Sequence, residues 1–429
     1  MTQLERQIDF LANGGGNSRL QLLYGNDSAE LAKESRRYAD IAAQFAGLFG
    51  GEREVHFFSA PGRTEIGGNH TDHQHGRVLA AAVNLDIVAA ASKNEEMVIR
   101  LKSAGFPSMD EVDISRLNIR EEEKETSASL LRGICARISE LGYRVGGFDA
   151  YTASQVLKGS GLSSSAAFEI LVVTIINHLY NDGKIDPVQA AKIAQYAENV
   201  YFGKPSGLMD QTASSVGGFV AIDFERPEAP KLEKVNFNPA DAGYALCIVD
   251  TGGNHADLTC DYAEVPLEMT AVARAMGHEV LRECDPSAFQ AQIPQLRAKV
   301  GDRAVLRAIH FFAENERVQE QTTALRAGDF EAFKQMCLLS GQSSYMYLQN
   351  VYSSRAPKEQ GISLALALSQ KILQGRGAWR VHGGGFAGTM QAFVPYDLLA
   401  EYCSSMEAVF GAGHCYVLSI RQAGGIQVF

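Results

Sequence analysis

GFDAYTASQVLKGSGLSSSAAFEILVVTIINHLY, residues 147–180, is the most informative stretch of this sequence about its architecture. Residues 147–153 are strand-like, and a long apolar helix is expected to extend to about Tyr180. Glycine and serine dominate the segment between them. The sequence therefore predicts a strand, a loop of small residues, and a helix that begins directly after the loop.

The loop of small residues has the chemistry of a polyphosphate site. Small side chains let a ligand approach the backbone, and the first amides of the following helix have no partners within the helix. The sequence lacks the G-x-x-x-x-G-K-[ST] pattern, and no predicted strand carries the protein-kinase glycine loop. A turn that only caps a buried helix is the alternative. The candidate phosphate-binding residues are Gly159, Ser160, Gly161, Leu162, Ser163, Ser164, Ser165 and Ala166.

A second segment, GRTEIGGNHTDH at residues 62–73, concentrates polar groups beside apolar strands. It contains one guanidinium, two carboxylates, an amide and two imidazoles, a set that is costly to bury unless it binds something. Asp72 can accept hydrogen bonds from a polyhydroxylated ligand, while Asn69 and His70 can donate or accept them. Arg63 suits an anion or a paired carboxylate. The alternative is a solvated polar loop.

A third segment, ENVYFGKPSGLMDQ at residues 198–211, ends a predicted helix and makes a Pro-Gly turn. Regular structure is expected to resume at Asp210. By itself the segment leaves open whether Asp210 is a functional carboxylate or only caps a helix.

Length and composition limit the classes of function. The chain has 429 residues, 46% hydrophobic and 21% charged, enough for two domains that we place at residues 1–225 and 226–429. A net charge of −11 disfavours nucleic-acid and membrane partners. Seven cysteines without a C-x-x-C pair predict a reducing compartment and no structural zinc. With no apolar run of about 18 residues, we expect a cytoplasmic protein.

Four motifs, in this order, resemble the galactokinases, a family of the GHMP small-molecule kinase superfamily. They are APGRTEIGGNHTD at residues 60–72, GSGLSSSAA at 159–167, GLMDQ at 207–211 and GGGF at 383–386. The resemblance implies an α+β fold of two GHMP-kinase domains, with the active site in the cleft between them. It also implies an ATP-dependent sugar 1-kinase that phosphorylates galactose to galactose 1-phosphate.

The resemblance assigns a role to each matched residue. Asp210 stands where the family's catalytic aspartate contacts the anomeric hydroxyl, and Arg63 stands where its partner arginine lies. The glycine-serine loop would wrap the phosphates of ATP. Ser165, or its neighbour Ser164, would hold Mg²⁺ together with Glu198. Sugar contacts are expected at Asn69, His70, Asp72, Gly207 and Tyr262.

The chain departs from the family pattern at ligand-facing positions. Galactokinases usually read GEHTDY where residues 68–73 read GNHTDH, so Asn69 replaces the acidic group expected to accept from the sugar's 6-hydroxyl. An amide can also donate to a carboxylate at C6, which makes galacturonate a competing substrate. Glu65 stands where asparagine is common. Three residues depart from the usual TGGGFGGC, namely His382, Ala387 and Thr389.

Because Arg63, Asp210 and the phosphate loop are intact, we expect an active kinase, a monomer whose partners are a sugar and ATP. A catalytically inactive, galactokinase-like sugar sensor is the alternative from another class. The HTD and MDQ motifs disfavour a superfamily member that acts on mevalonate, homoserine or another alcohol.

Overall fold

The structure, a computed structural model, describes residues 2–156, 161–253 and 258–429. Within these ranges the strands form an eight-stranded sheet and a four-stranded sheet, and helices pack against both. This mixture of helices and strands is the α+β class that the sequence predicts. Two candidate phosphate-loop residues, Gly159 and Ser160, lie outside the described residues.

The larger sheet holds the first part of the chain and the smaller sheet much of the second. In chain order the strands are β1 (His56–Gly67), β2 (Arg77–Lys93), β3 (Val98–Ser103), β4 (Asp110–Asp113), β5 (Phe148–Ser154), β6 (Phe219–Asp223), β7 (Lys231–Val235), β8 (Tyr244–Asp250), β9 (Ala378–Val381), β10 (Thr389–Pro395), β11 (Cys415–Leu418) and β12 (Ile426–Gln427). The larger sheet has the order β12-β1-β2-β5-β3-β4, and β6 and β7 extend it from β2. The smaller sheet has the order β11-β8-β10-β9.

Most helices lie in the second half of the chain or frame the larger sheet. In chain order the α-helices are α1 (Gln3–Ala12), α2 (Asn17–Tyr24), α3 (Ser28–Phe49), α4 (Ser127–Glu140), α5 (Ser164–Asn181), α6 (Pro187–Tyr196), α7 (Met209–Val216), α8 (Thr259–Ala275), α9 (Pro286–Val300), α10 (Asp302–Ala327), α11 (Phe330–Ser343), α12 (Gly361–Leu373) and α13 (Tyr396–Phe410). Two π-helical segments are Ala197–Phe202 and Ser344–Leu348, and short 3-10 turns are Asp72–Gln74, Glu121–Glu123, Pro239–Ala242 and Leu281–Glu283. In the parts of the chain that the structure describes, no helix combines the length and the apolar character needed to cross a bilayer.

The helix expected after the small-residue loop is α5. Both α5 and the preceding strand β5 confirm the prediction to within one or two residues at their ends. Most side chains of α5 are buried, and the helix packs against β1 and β2. Because a helix that is apolar on nearly all sides needs cover on all sides, this packing fixes where its N-terminal end lies.

Strand β1 positions the polar segment of residues 62–73. Its register with β2 shifts between Pro61 and Arg63 and again between Glu65 and Gly67. Such irregularities bend a strand and re-aim its side chains. Arg63 reaches Asp210 in α7, whereas Glu65 reaches the smaller sheet through β9. One strand therefore carries side chains toward both halves of the molecule.

Strand pairing crosses the division that we placed between residues 225 and 226. β7 lies beyond that position but pairs with β6, and β12 returns to β1 with Gln427 opposite Phe58. The largest apolar core also joins the halves, for example where the rings of Phe219 and Phe333 meet edge to face. The division at residue 225 itself stays a prediction.

Candidate active site

The centre of the site is an ion pair between Arg63 in β1 and Asp210 in α7. Nε of Arg63 lies 2.8 Å from Oδ1 of Asp210 and Nη2 lies 2.9 Å from Oδ2, so the guanidinium donates two parallel hydrogen bonds. The Ser163 hydroxyl donates to Oδ2 as well. Burial raises the pKa of Asp210, but Arg63 and Ser163 outweigh this effect and hold that pKa below its usual value. Asp210 is thus an ionised carboxylate whose side chain is still 32% exposed.

Asp210 is not the cap of α7. The helix begins at Met209, and its N-cap residue is Leu208, so Asp210 already lies inside the helix. Its oxygens accept from Arg63 and Ser163, and the N-cap position makes no side-chain bond to the helix. The functional role of the carboxylate stays a prediction.

The last residues of the glycine-serine loop are hydrogen-bonded to Arg63. The Arg63 amide donates to the carbonyl oxygen of Leu162 at 3.0 Å, and Nη1 donates to the carbonyl oxygen of Gly161. A Cβ on Gly62 would lie 2.9 Å from the Leu162 oxygen, so glycine permits this close approach. Ser163 has φ of 55°, a left-handed conformation that costs energy outside glycine and recurs at functional sites.

The first turn of α5 directly follows this loop and is partly exposed to solvent. Ser165 is exposed, Ser164 is half-buried and Ala166 is buried. Amides of the first turn have no acceptors within the helix, and the N-terminal end of a helix carries partial positive charge. The Ser163 side chain does not cap this end. The start of α5 therefore offers amides and hydroxyls of the kind that bind phosphate oxygens.

Glu198, the predicted Mg²⁺ ligand, lies in the π-helical segment Ala197–Phe202 and is buried. Its Oε1 accepts from Lys204 Nζ at 2.9 Å and its Oε2 accepts from Gln211 Nε2 at 2.8 Å. Gln211 also donates to Oε2 of Glu169 at 3.1 Å. Burial, followed by the charge of Glu198, raises the pKa of Glu169 well above its usual value. Of this carboxyl pair, Glu198 is therefore the member better able to serve a cation.

The donor set at this end of the site fits Mg²⁺. Ser165 and Glu198 supply hydroxyl and carboxylate oxygens, which are the ligands that a hard divalent cation prefers. The assignment of both residues to one ion stays a prediction.

Two of the expected sugar contacts meet the glycine turn at residues 383–385. His70 Nε2 lies 2.9 Å from the carbonyl oxygen of Gly384, and the Tyr262 hydroxyl donates to the carbonyl oxygen of Gly385 at 2.9 Å. Burial lowers the pKa of His70, which favours the neutral imidazole. The turn thus holds two side chains from distant parts of the chain.

Two further predicted contacts, Asp72 and Gly207, are neighbours. A Cβ on Gly207 would lie 3.2 Å from Oδ2 of Asp72, so any larger residue would crowd this carboxylate. Burial lowers the pKa of Arg63, but Asp210 first, then Glu65 and then Asp72 raise it overall. Asp72 therefore lies within the electrostatic reach of the central ion pair.

Asn69 is fully buried, and the protein itself uses its amide. Nδ2 donates to Oε1 of Glu65 at 2.9 Å and to the carbonyl oxygen of Gly383 at 2.7 Å. Oδ1 accepts from Asn350 Nδ2 at 2.7 Å. Glu65 in turn pairs with the buried Arg380 at 3.0 Å. Both amide hydrogens of Asn69 are thus taken within the protein, and a direct sugar contact stays a prediction.

The departures at His382 and Thr389 from the family pattern are linked in space. His382 Nδ1 lies 2.9 Å from Oγ1 of Thr389, and Nε2 lies 3.0 Å from Oγ1 of Thr64. Burial, followed by the charge of Arg63, lowers the pKa of His382 to about 3, so the ring is neutral. A Cβ on Gly161 would lie 3.1 Å from this ring. His382 therefore connects β1, the phosphate loop and the smaller sheet.

Sequence reasoning missed the buried residues that support the polar segment from α10 and β9. His310 Nε2 lies 2.9 Å from the carbonyl oxygen of Asn69, and Glu314 Oε1 accepts from the Gly68 amide at 3.1 Å. Arg380 Nη1 donates to the carbonyl oxygen of Ile66 at 2.5 Å. No motif marks these residues. The one available signal was a charged side chain, such as Glu314, at a core-facing helical position.

Two family models match the chain. The model described as the galactokinase galactose-binding signature matches residues 43–93, and the GHMP kinases N terminal domain matches residues 129–218. The first range contains Arg63 and Asp72, and the second contains the phosphate loop and Asp210. Both partners of the central ion pair therefore lie in matched ranges.

Characterised relatives extend the similarity over most of the chain. A galactokinase from Actinobacillus pleuropneumoniae serotype 5b (strain L20) is 32% identical over 340 residues, which cover 78% of this chain and 84% of that protein. The chain belongs to the galactokinase family. Another galactokinase, from Streptomyces coelicolor, is 29% identical over 372 residues, which cover 87% of this chain and 92% of that protein.

Solved structures show the same fold. The crystal structure of Lactococcus lactis galactokinase complexed with galactose has a TM-score of 0.76 at 24% identity and covers 91% of this chain and 100% of that chain. A mevalonate kinase has a TM-score of 0.60 at 14% identity and covers 85% of this chain and 98% of that chain. The galactokinase-family chain described here thus has the GHMP-kinase fold that its motifs predict.

Proposed function

We propose that this galactokinase-family protein transfers the γ-phosphate of ATP to the anomeric hydroxyl of galactose, releasing galactose 1-phosphate and ADP. The observation that carries the proposal is the two-bond ion pair of Arg63 and Asp210 beside the N-terminal end of α5. It combines an ionised proton acceptor, a fixed cation and a phosphate-binding loop. Similarity to galactokinases supports galactose as the sugar.

In the reaction, Asp210 accepts the proton of the anomeric hydroxyl while that oxygen bonds to the γ-phosphorus. The bond between this phosphorus and the β–γ bridging oxygen breaks, and ADP leaves with the electron pair. Arg63 keeps Asp210 ionised and counters the charge on the phosphoryl oxygens. A positioned base of this kind contributes about 10²–10⁴-fold to the rate.

The phosphates of ATP would contact the free amides and serine hydroxyls at the start of α5. Ser165 and Glu198 would hold Mg²⁺, which when bound neutralises part of the phosphate charge. Lys204 has a side chain that is 60% exposed. Its bond to Glu198 therefore breaks at little cost when a cation takes its place.

Galactose ranks above galacturonate in this proposal. A sugar carboxylate would need a donor near C6, and both Nδ2 hydrogens of Asn69 are already donated to Glu65 and Gly383. Asp72 accepts hydrogen bonds from ring hydroxyls, while His70 and Tyr262 contact the glycine turn at residues 383–385. A charged acceptor that the bound sugar covers is worth roughly 2–4 kcal/mol.

The proposal includes Mg²⁺-ATP as the donor, a cytoplasmic location and a monomeric enzyme. The seven free cysteines support the reducing compartment expected from the sequence. Turnover ranks above a sensor role because Asp210 is held ionised and partly exposed, as a base must be.

ADP release by the purified protein tests the proposal. The assay uses ATP and Mg²⁺ with galactose, galacturonate, glucose, N-acetylgalactosamine or no sugar. Asp210→Asn removes the base, and Asp182→Asn, just beyond the other end of α5, is the matched control. We expect galactose-dependent release that is lost in Asp210→Asn and kept in Asp182→Asn. A sugar-independent or absent signal from folded protein would instead favour the sensor.

Two further variants test individual assignments. Glu198→Gln should raise the Mg²⁺ concentration needed for half-maximal rate, and an unchanged Mg²⁺ titration would remove Glu198 from the metal site. The double variant Glu65→Asn with Asn69→Glu exchanges the two groups without changing net charge. We expect it to leave galactose as the preferred sugar. A galacturonate activity that is present in the parent protein and vanishes in this variant would instead assign Asn69 to the C6 carboxylate.

A further inference from the structure

Cysteines from three segments of the chain come together at the smaller sheet. The thiol sulfurs of Cys247, Cys403 and Cys415 all lie within 4.8 Å of one another. The Sγ atoms of Cys403 and Cys415 are 3.6 Å apart. Of the residues that the structure describes, no fourth histidine, cysteine or carboxylate belongs to this group.

The register of the sheet explains two of the three positions. Cys247 lies in β8 opposite Val417 of β11, and Cys415 is two residues before Val417. Because side chains alternate along a strand, Cys247 and Cys415 project from the same face. Cys403 comes from α13, which packs against that sheet. The trio thus connects an edge strand, a central strand and a helix.

The three cysteines form a mostly buried group with one side open to solvent. Cys247 is fully buried, Cys415 is nearly so, and Cys403 is partly exposed. Apolar neighbours from the same core include Val249 and Met406. A bound ion would therefore be shielded from water on most sides, and Cys403 would be the ligand reached from solvent.

We propose that Cys247, Cys403 and Cys415 bind one thiophilic metal ion of the Zn²⁺ class through their three sulfurs. With metal–sulfur bonds of about 2.3 Å, the sulfurs around a tetrahedral ion lie about 3.8 Å apart. The Cys403 and Cys415 sulfurs are 3.6 Å apart, and the Cys247 sulfur lies within 4.8 Å of both. Water can occupy the fourth position beside the partly exposed Cys403. Three thiolates leave a net charge of −1 with Zn²⁺ but −2 with Cu⁺, and an apolar environment favours the smaller charge.

Metal binding at this group would be linked to proton release. A thiol must lose its proton to become a metal ligand, so the affinity of the trio for a metal ion should rise with pH. Binding would therefore release protons from the thiols that become ligands.

Cobalt substitution gives a direct test, because Co²⁺ bound by thiolates has intense charge-transfer absorption. The full-length protein is reduced, freed of metal and titrated with Co²⁺, and Zn²⁺ is then added to displace it. We expect one equivalent of Co²⁺ with a thiolate charge-transfer band, and its displacement by one equivalent of Zn²⁺. Absence of the band at stoichiometric Co²⁺ would overturn the proposal.

Cysteine variants separate this site from adventitious thiols. Cys403→Ser removes the partly exposed ligand, and Cys260→Ser, at the exposed cysteine in α8, is the control. Losing a direct ligand should weaken Zn²⁺ binding by more than about a hundredfold, since loss of a supporting group alone weakens metal sites by 10–100-fold. Equal affinity in Cys403→Ser and the parent would contradict the site.

A measurement on the unaltered protein covers the case in which Cys403→Ser fails to fold. One equivalent of Zn²⁺ should protect Cys403 from alkylation while Cys260 still reacts, as read by peptide mass spectrometry. Equal labelling of Cys403 with and without Zn²⁺ would overturn the proposal. Bound Zn²⁺ should also raise the melting temperature in proportion to the logarithm of its concentration.

Discussion

Two aspartates in this molecule both accept hydrogen bonds from arginine and serine but differ in their surroundings. Asp86 in β2 accepts from Arg37 Nη1 at 2.7 Å and Arg421 Nη1 at 2.9 Å, and the Ser59 hydroxyl also donates to it. Asp210 accepts from one arginine and one serine. Asp86 is fully buried, whereas the Asp210 side chain is 32% exposed.

The comparison contrasts the buried charge of Asp86 with the proposed catalytic charge of Asp210. For each aspartate, burial raises the pKa and the arginines more than reverse the effect, so both pKa values lie below the usual one. Asp86 has two cations and no opening to solvent, so its charge serves only to join α3, β2 and the segment around Arg421. Asp210 has one cation and an open side, where a sugar hydroxyl can reach it.

The largest expected effect is on catalysis. Asp210→Asn should lower kcat by about 10²–10⁴-fold, because the amide cannot accept the hydroxyl proton. The site is partly open, so the free energy of unfolding should change little. Two measurements check these statements: ADP release should fall, and the urea unfolding transition should be unchanged. A kcat within tenfold of the parent's would show that Asp210 is not the base.

Asp86→Asn should lower the stability of the protein rather than its kcat. Removing one partner of a buried charge pair leaves Arg421 without a carboxylate and Arg37 with Glu34 alone. Such a loss costs about 3–5 kcal/mol of unfolding free energy. Because the folded-state pKa of Asp86 is depressed, its stabilisation is present above the pKa of the unfolded chain and is lost as pH falls through the folded value. Urea unfolding between pH 7 and the acid range should therefore converge for the parent and the variant. Parallel curves across that range would contradict this assignment.

The two serines offer a finer contrast. Ser163→Ala removes a hydrogen bond to the charged form of Asp210, so the pKa of Asp210 rises and activity on the acid side is lost at higher pH. A hydrogen bond to a charge worth about 1.5–3 kcal/mol corresponds to a shift of roughly one to two pH units. Ser59→Ala, the counterpart at Asp86, should reduce stability and leave the pH profile of kcat/KM unchanged. An unshifted acid limb in Ser163→Ala would remove Ser163 from control of the base.

The smallest effect is expected at the exposed neighbour of the site. Lys204→Met breaks an ion pair whose lysine side chain is 60% exposed, and such pairs contribute about 0–1 kcal/mol. Thermal unfolding of the variant should therefore be almost superimposable on that of the parent. A loss as large as that of Asp86→Asn would show that Lys204 is a structural cation.

Local features of the site can be predicted from the sequence better than the distant residues that hold them in place. Short segments of the sequence contain the loop before α5, Arg63 and Asp210, and the composition of these segments already indicates their chemistry. The resemblance to galactokinases then assigns a role to each. Arg380 and Asn350, which fix Asn69, come from parts of the chain that share no spacing with it. Such contacts depend on how the sheets pack, which one sequence does not encode locally.

The same limit applies to the cysteines and to Asp86. The spacing of the seven cysteines predicts no structural zinc, yet residues 247, 403 and 415 converge because two strands pair and one helix covers them. Asp86 interrupts an apolar run in the sequence, but its partner Arg421 lies far along the chain. A polar residue in a buried strand indicates that a partner exists without indicating which one.

The position of strand β12 affects folding during synthesis. Residues 426 and 427 pair with β1, which the ribosome makes much earlier. A nascent chain that has not reached residue 426 presents Phe58 and Ser59 on an open sheet edge, and open edges recruit other strands. Until residues 426 and 427 emerge, this edge of the growing chain is open to pairing with strands of neighbouring chains on the same polysome.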